Sequence, residues 1–156
     1  MKKSLLVLAL LVAPLSPAAV AASVACPDLA TAVQVGACPA EEELKYTFNG
    51  YCSDDARAYK GETGVCTDYQ RYRALKNVAL WESADGVFNA YVSCDRPPAS
   101  VKGARASGVR VGKLGKMTQL VCSYGEGISF TWRTRVECKV EGSAACTGAA
   151  CKATCE

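Results

Sequence analysis

Hydrophobic and polar positions alternate without interruption through residues 128–140, ISFTWRTRVECKV. The even-numbered positions are apolar or small and include Ile128, Phe130 and Trp132, whereas every odd-numbered position is polar. A period of two residues is typical of a β-strand with one buried face and one solvent-exposed face. We therefore predict one long strand over 128–140 that forms the centre of the fold and places Phe130 and Trp132 in the core.

A second alternating stretch, residues 78–94, predicts a β-hairpin. It contains Asp85-Gly86, a dipeptide that favours a two-residue hairpin turn. The register that this turn sets brings apolar residues opposite each other: Trp81 with Ala90, and Ala79 with Val92.

A strand predicted at 117–124 joins the long strand through the loop 125–127. A three-residue loop with Gly127 in the left-handed region keeps the apolar side chains of both strands on one face. A two-residue loop would instead place the apolar side chains of the first strand on the polar, solvent-exposed face of the second. The three-residue loop is therefore predicted, with two facing pairs: Cys122 with Phe130, and Leu120 with Trp132. Residues 109–111 predict a short edge strand.

The N-terminal half, residues 26–77, has helical signals instead. Capping residues and acidic first turns predict short helices. Their predicted bounds are Leu29 to Gly36, Pro39 to Asn49-Gly50, Ser53 to Gly61, and Thr67 to about Lys76. In the last of these, Tyr69, Tyr72 and Leu75 are expected to face the core. The fold class predicted is α+β, with short helices in the N-terminal half and an antiparallel β-sheet in the C-terminal half.

Residues 95–108 have no period and predict a long loop. Residues 141–156 consist of small residues and cysteines, so disulfides rather than burial are expected to hold this tail. We predict a single disulfide-stapled domain over 23–140, followed by the cysteine-rich tail 141–156.

The first 22 residues resemble a secretory signal peptide. Lys2 and Lys3 precede a short apolar run, and small residues follow at 19–22. Cleavage is expected after Ala22, with the bonds after Ala21 and Ala25 as alternatives, which predicts a secreted or periplasmic protein without a transmembrane segment. Processing as a lipoprotein at Cys26 is a further alternative.

All ten cysteines follow this leader, and an even number in an exported chain predicts a disulfide framework. The ten are Cys26, Cys38, Cys52, Cys66, Cys94, Cys122, Cys138, Cys146, Cys151 and Cys155. Their connectivity does not follow from the sequence, although we expect the first four to staple the helical half. The chain has no Cys-x-x-Cys pair and no histidine, so neither a metal nor a cofactor is predicted.

Charge is distributed unevenly between the two halves. Residues 23–95 carry six basic and eleven acidic residues, whereas residues 96–156 carry ten basic and four acidic ones. If Phe130 and Trp132 point inward, the solvent face of the long strand is basic, and the loop before it adds further cations. The predicted binding surface consists of Arg133, Arg135, Arg110, Lys113 and Lys116. The alternative is that the acidic half simply neutralises these charges.

Catalytic chemistry has little support in the sequence. Without histidine, serine–histidine and cysteine–histidine nucleophiles are excluded. A carboxylate pair among Glu41, Glu42, Glu43, Asp54 and Asp55 would be needed for a hydrolase, but acids at the start of a helix commonly stabilise its dipole.

Short motifs resemble those of an uncharacterised family of small secreted bacterial proteins. They are Cys38-Pro39, the strand around Trp81, Phe88-x-Ala90, and Cys122-x-Tyr124. The resemblance implies secretion and a small β-rich domain, and it supplies no functional residue.

These observations together predict an exported, non-enzymatic binding domain with a basic sheet face. Its expected partner is an anionic cell-surface polymer or an acidic protein, and nucleic acid is not expected outside the cell. The alternatives are a small secreted hydrolase that uses acidic residues and a structural envelope-associated protein.

Overall fold

The computed structural model describes residues 21–55 and 63–156. The apolar part of the predicted leader, and most of the helix predicted from Ser53 to Gly61, lie outside these residues. Within them the chain forms short helices, mainly in the N-terminal half, and antiparallel sheets, mainly in the C-terminal half. The predicted α+β class is confirmed.

The helices of the described residues are α1 (Glu41–Cys52), α2 (Thr63–Cys66), α3 (Tyr69–Lys76) and α4 (Pro98–Gly103). The strands are β1 (Ala22–Ala25), β2 (Val33–Gln34), β3 (Val78–Glu82), β4 (Asn89–Ser93), β5 (Gly108–Leu114), β6 (Met117–Ser123), β7 (Ser129–Thr134), β8 (Cys138–Val140) and β9 (Lys152–Cys155). They form a six-stranded sheet in the order β2-β3-β4-β7-β6-β5 and a three-stranded sheet in the order β1-β9-β8.

The prediction of one uninterrupted strand over 128–140 is wrong. Strand β7 ends at Thr134 and belongs to the six-stranded sheet, whereas β8 begins at Cys138 and belongs to the three-stranded sheet. Between them, the Thr134 hydroxyl accepts a hydrogen bond from the Val136 N–H at 3.3 Å, and the side chain of Val136 is exposed. A local side-chain bond of this kind offers the backbone an alternative to sheet pairing, so the chain bends and enters the second sheet.

The predicted registers are confirmed in both hairpins. Facing residues of β3 and β4 include Trp81 with Ala90 and Ala79 with Val92. Facing residues of β6 and β7 include Cys122 with Phe130 and Leu120 with Trp132. The loop between β6 and β7 has Gly127 at φ 78°, and both Gly125 and Glu126 also have positive φ.

The core lies on one face of the six-stranded sheet, which we call the inner face. Phe130 and Leu120 are fully buried there, and Trp132 is partly buried against the same cluster. The cluster also contains Leu29 of the 3₁₀ turn Leu29–Thr31 and Val101 of α4. Phe130 is therefore confirmed as a core residue, and Trp132 lies at the margin of the core.

Three elements around this core differ from prediction. Residues 95–108 are not a continuous loop, because α4 forms within them and packs against the turn Leu29–Thr31. That turn stands where a helix to Gly36 was predicted, and β2 follows it. In both places, burial of an apolar side chain against the sheet outweighs the weak local signal.

The C-terminal tail is held by burial as well as by disulfides, contrary to expectation. Strand β9 is the central strand of the three-stranded sheet, and Cys151 and Ala153 are fully buried in the main core cluster. The small side chains of this segment therefore contribute directly to the core.

Helices α1 and α3 form a second cluster of aromatic residues. Tyr72 is buried, and its ring lies 5.2 Å from Phe48 and 5.4 Å from Tyr51. Leu75, predicted to face the core, is half exposed. Helix α3 is capped by Asp68 rather than Thr67, since the Asp68 carboxylate accepts a hydrogen bond from the Gln70 N–H at 2.9 Å. Helix α1 runs past Gly50 to Cys52.

One arginine joins these helices to the sheet. Arg73 of α3 makes a two-pronged contact with Asp95, at 2.9 and 3.0 Å, and its Nε lies 3.1 Å from a Glu41 oxygen. Tyr69 donates a 2.6 Å hydrogen bond to Glu41. The hydrogen bonds from Tyr69 and Arg73 lower the pKa of Glu41, and the hydrogen bonds from Arg73 lower the pKa of Asp95.

Replacing Arg73 by alanine should lower the melting temperature at pH 7 but have progressively less effect in acid. Carboxyls with lowered pKa values stabilise the fold above their ordinary values, 4.5 for Glu41 and 3.8 for Asp95, and lose that contribution as the pH falls. Thermal unfolding between pH 7 and pH 3 tests this, with Arg71→Ala on the exposed face of α3 as control. A constant difference between Arg73→Ala and the parent across this range would contradict it.

The ten cysteines form five disulfides, and none is free. The bonds are Cys26–Cys122, Cys38–Cys94, Cys52–Cys66, Cys138–Cys155 and Cys146–Cys151. Only Cys52–Cys66 staples the helical half internally, so the expectation that all four early cysteines do so is wrong. Because Cys26 is bonded to Cys122, the alternative of a lipid on Cys26 is contradicted as well.

Candidate functional site: the open face of the six-stranded sheet

The face of the six-stranded sheet opposite the core carries the predicted arginines. We call it the open face. Side chains alternate across a strand, so the open face holds the residues that lie out of phase with Phe130 and Trp132. Across the sheet it includes Leu80 and Glu82 of β3, Asn89 and Tyr91 of β4, Ser129, Thr131 and Arg133 of β7, Gln119 and Val121 of β6, and Arg110 of β5.

Arg110 and Arg133 lie on this face with β6 between them. Arg110 faces Val121, and Val121 faces Thr131. Two residues further along the strands, Gln119 faces Arg133. The strand spacing and the rise per residue place their Cα atoms about 12 Å apart. Both side chains are exposed, and neither makes an ion pair with a carboxylate of the described residues.

The structure does not bring the other three predicted binding residues onto this face. Lys113 faces Thr118, which is buried on the inner side, and its ammonium contacts Thr118 Oγ1 and Glu137. Lys116 lies in the β5–β6 turn, and Arg135 lies in the bend after β7. The expected pair of neighbouring arginines at 133 and 135 on one strand is therefore replaced by a pair across strands, Arg133 and Arg110.

The cations of residues 95–108 are also directed elsewhere. Arg96 makes an ion pair with Glu126 at 2.6 Å, at the loop between β6 and β7. Lys102 belongs to α4, which packs on the core side of the sheet. This segment does not fold back beside the arginine-bearing face, because the apolar side chain of Val101 anchors α4 in the core.

The opposite end of the open face is apolar and exposed. Tyr91 is 72% exposed, and Val33 and Val35 are about half exposed. Leu80 faces Tyr91 across the β3–β4 pair, and the Val35 N–H donates to the Leu80 carbonyl at 2.9 Å, so these residues are neighbours. The predicted hairpin register also places Leu80 opposite Tyr91, on the face away from Trp81, but the sequence does not identify an exposed surface there.

Hydroxyl and amide side chains occupy most of the middle of the open face, around Val121, which is buried. Ser129 and Thr131 of β7 lie between Tyr91 and Arg133, while Asn89 and Gln119 flank them on the neighbouring strands. Glu82 is the acidic residue of the six strands on this face, and it lies two strands from β7 and four from β5. The face thus changes from apolar through polar to cationic along a diagonal of about 14–16 Å from Tyr91 to the two arginines.

The candidate catalytic acids of α1 either take part in structural contacts or lie at the surface. Glu41 is held by Tyr69 and Arg73, as described above, while Glu42 and Glu43 are exposed in the first turn of α1. These contacts assign Glu41 to the helix–sheet connection. In the parts of the chain that the structure describes, no cluster of cysteine and carboxylate ligands is arranged for a metal ion.

A cavity of about 190 Å³ lies at the core margin, between Pro27, Asp28, Arg105 and Tyr124. Its polar groups are already engaged within the protein: the Tyr124 hydroxyl donates to the Pro27 carbonyl at 2.6 Å, and Asp28 caps the turn Leu29–Thr31. Burial raises the pKa of Tyr124, with a smaller contribution from Asp28. A protonated tyrosine that donates to a backbone carbonyl stabilises this corner of the fold.

No family model, no curated protein and no solved structure matches this chain. The resemblance to the family of small secreted bacterial proteins stays a prediction.

Among residues 21–55 and 63–156, no helix is long and apolar enough to span a bilayer. Five disulfides suit an oxidising compartment outside the cytoplasm.

Proposed function

We propose that the protein is an exported, non-enzymatic binding domain whose open face binds an anionic polysaccharide of the cell surface. The observation that carries this proposal is the pair of exposed arginines, Arg110 and Arg133, on one sheet face without carboxylate partners among the described residues. Guanidinium groups bind carboxylates, sulfates and phosphates through paired hydrogen bonds.

The composition of the surface between these arginines and Tyr91 favours a carbohydrate over an acidic protein. Specific protein interfaces have an apolar centre and a polar rim, whereas the centre of the open face is mainly polar, with Ser129, Thr131, Asn89 and Gln119 around the buried side chain of Val121. Hydroxyl and amide groups match the hydroxyls of a sugar chain. The exposed ring of Tyr91 adds a rigid amphipathic contact at small entropic cost.

The length of the surface favours a polymer over a small ligand. A diagonal of about 14–16 Å on a flat face offers no enclosure for one small molecule. A polymer that lies along the diagonal contacts the tyrosine and the arginines at the same time. Once one contact has formed, the others form within the same complex, which strengthens binding overall. The predicted leader and the five disulfides support a location outside the cytoplasm, where such polymers are found.

Replacing both arginines by glutamine should weaken binding to an acidic polysaccharide by up to about a hundredfold, since each lost charge-assisted contact is worth about 1.4 kcal/mol, or tenfold. The measurement is titration of immobilised polygalacturonate and of heparin at several salt concentrations, with neutral dextran as the blank. Binding by the parent should weaken as salt rises. The matched control is Arg71→Gln together with Lys102→Gln, which removes the same charge away from the open face.

Three results would overturn this proposal: parent protein that does not bind either polymer, equal binding by the double mutant and the control, or tighter binding to poly-glutamate than to both polysaccharides. The last result would identify an acidic protein as the partner. Unfolding by urea must be unchanged within about 0.5 kcal/mol in the double mutant, as expected for exposed residues.

Replacing Tyr91 by alanine should weaken polysaccharide binding severalfold without changing its salt dependence. The ring contributes contact area but no charge, so the slope of affinity against salt concentration depends on the arginines alone. The same titrations measure this effect. A change of slope in Tyr91→Ala, or unchanged affinity, would remove the apolar end of the face from the site.

A further inference from the structure

The three-stranded sheet depends on the first residues after the predicted leader. Strand β1, Ala22–Ala25, lies at the edge of this sheet and pairs with β9, with Ser23 opposite Thr154 and Ala25 opposite Lys152. Directly after β1, the Cys26 N–H donates to the Cys151 carbonyl at 2.8 Å. The backbone from Ala22 onward is therefore part of the folded sheet.

Glu141 directly follows β8, at the opposite edge of this sheet, and its side chain reaches across β9 to accept hydrogen bonds from both β9 and β1. Its Oε1 accepts from Ser23 Oγ and from Thr154 Oγ1, both at 2.7 Å, and its Oε2 lies 2.9 Å from Lys152 Nζ. These bonds, led by that of Lys152, lower the pKa of Glu141 to about 2. The carboxylate is thus ionised throughout the physiological range.

The leader offers three bonds for cleavage, and the sheet disfavours one of them. Cleavage after Ala25 would remove all of β1, leave one edge of β9 unpaired and take Ser23 away from Glu141. Cleavage after Ala21 or after Ala22 keeps Ser23, Val24 and Ala25 paired with β9, and cleavage after Ala21 also keeps Ala22 paired with Cys155. Only cleavage after Ala22 creates a positive charge at Ser23, the residue that already contacts Glu141.

We propose that Ser23 is the amino terminus of the processed protein and that Glu141 is the binding site of its α-ammonium group. Hydrolysis breaks the bond between the Ala22 carbonyl carbon and the Ser23 nitrogen. Water supplies the hydroxyl to Ala22 and a proton to the amine, which takes a second proton from solvent. The protease is of the signal-peptidase class, and no oxidant or cofactor is required.

Covalent geometry limits the distance between the Ser23 nitrogen and Glu141. The nitrogen and Oγ of one serine are at most about 3.7 Å apart by covalent geometry. Since Ser23 Oγ is 2.7 Å from Glu141 Oε1, the nitrogen lies within about 6.4 Å of that oxygen, a range in which opposite charges shift each other's pKa. Glu141 then lies between two cations, the new terminus and Lys152.

The first test is the mass and amino-terminal sequence of the protein purified after export. A chain that begins at Ser23 supports the proposal. A chain that begins at Ala22 or Cys26, or that keeps its leader, overturns it.

The second test measures the α-amine directly. Contact with Glu141 should raise its pKa above the ordinary range of about 7.7–8.0, so the pH profile of reductive methylation of Ser23 should be displaced upward. In Glu141→Gln the profile should return to the ordinary range, whereas Glu42→Gln, an exposed control on α1, should leave it displaced. An unshifted profile in the processed parent overturns the proposal even if Glu141→Gln fails to fold.

Discussion

Replacing Cys26 and Cys122 together by alanine is expected to lower the free energy of unfolding by about 4–5 kcal/mol. The bond joins residues 96 positions apart, and a cross-link that closes a loop of this size removes the most freedom from the unfolded chain. Both residues are also buried, Cys122 completely, in the cluster that contains Phe130. Urea unfolding of the oxidised protein measures the difference.

The matched control is the double replacement of Cys146 and Cys151, which are only five positions apart. The same loop-closure relation gives about 2 kcal/mol for a loop of this size. If the two double mutants lose equal stability, chain entropy is not the main contribution of the Cys26–Cys122 bond. The bond joins the segment before the turn Leu29–Thr31 to β6, so its loss should also increase amide exchange in that segment.

Sheet registers could be predicted from the sequence because each depends on a few local residues. In the β6–β7 hairpin, the glycines of the loop allow positive φ, and only one loop length keeps Cys122 and Leu120 on the apolar face. The same reasoning failed at Thr134. Alternation specifies which side of a strand a residue occupies, but it does not specify which sheet the strand joins.

The candidate site also combines features that could be predicted from the sequence with features that could not. Parity along β7 correctly predicted that Arg133 points away from Phe130. Parity along β7 does not show which face Arg110 occupies, since this depends on the register of β5 against β6, which the tight turn at Gly115-Lys116 sets. Once Arg110 lies on the open face, the odd spacing within β5 puts Lys113 on the other face. Parity also does not identify Tyr91 as exposed, because exposure of that face depends on α4 packing elsewhere.

Disulfide connectivity was beyond sequence reasoning for a related reason. Cys26 and Cys38 lie in the N-terminal half, yet their partners are Cys122 of β6 and Cys94, just after β4. Proximity along the chain favours local pairs, whereas the observed pairs follow from how the turn Leu29–Thr31 and the start of α1 are placed against the sheet. Such placement depends on long-range packing, which a periodic pattern does not contain.

Replacing Phe130 by alanine is expected to destabilise the protein by about 3–5 kcal/mol. Its side chain is fully buried on β7, and its ring lies edge-on to Tyr124 at 5.8 Å between centroids. Truncation removes apolar burial and leaves a cavity beneath Tyr124 whose surroundings are fixed by the adjacent Cys26–Cys122 bond. Phe130→Leu keeps most of the volume and should cost less than about 1.5 kcal/mol.

Two neighbouring substitutions complete this prediction and separate the two faces of the sheet. Trp132→Ala should cost less than Phe130→Ala, because Trp132 is only partly buried, with its ring 6.3 Å from Phe88. Tyr91→Ala, on the exposed open face, should change stability by no more than about 0.5 kcal/mol. Urea unfolding of the three alanine variants gives the order directly. A loss of stability in Tyr91→Ala as large as that in Phe130→Ala would show that the open face is covered, and it would contradict both the placement of the core and the proposed binding surface.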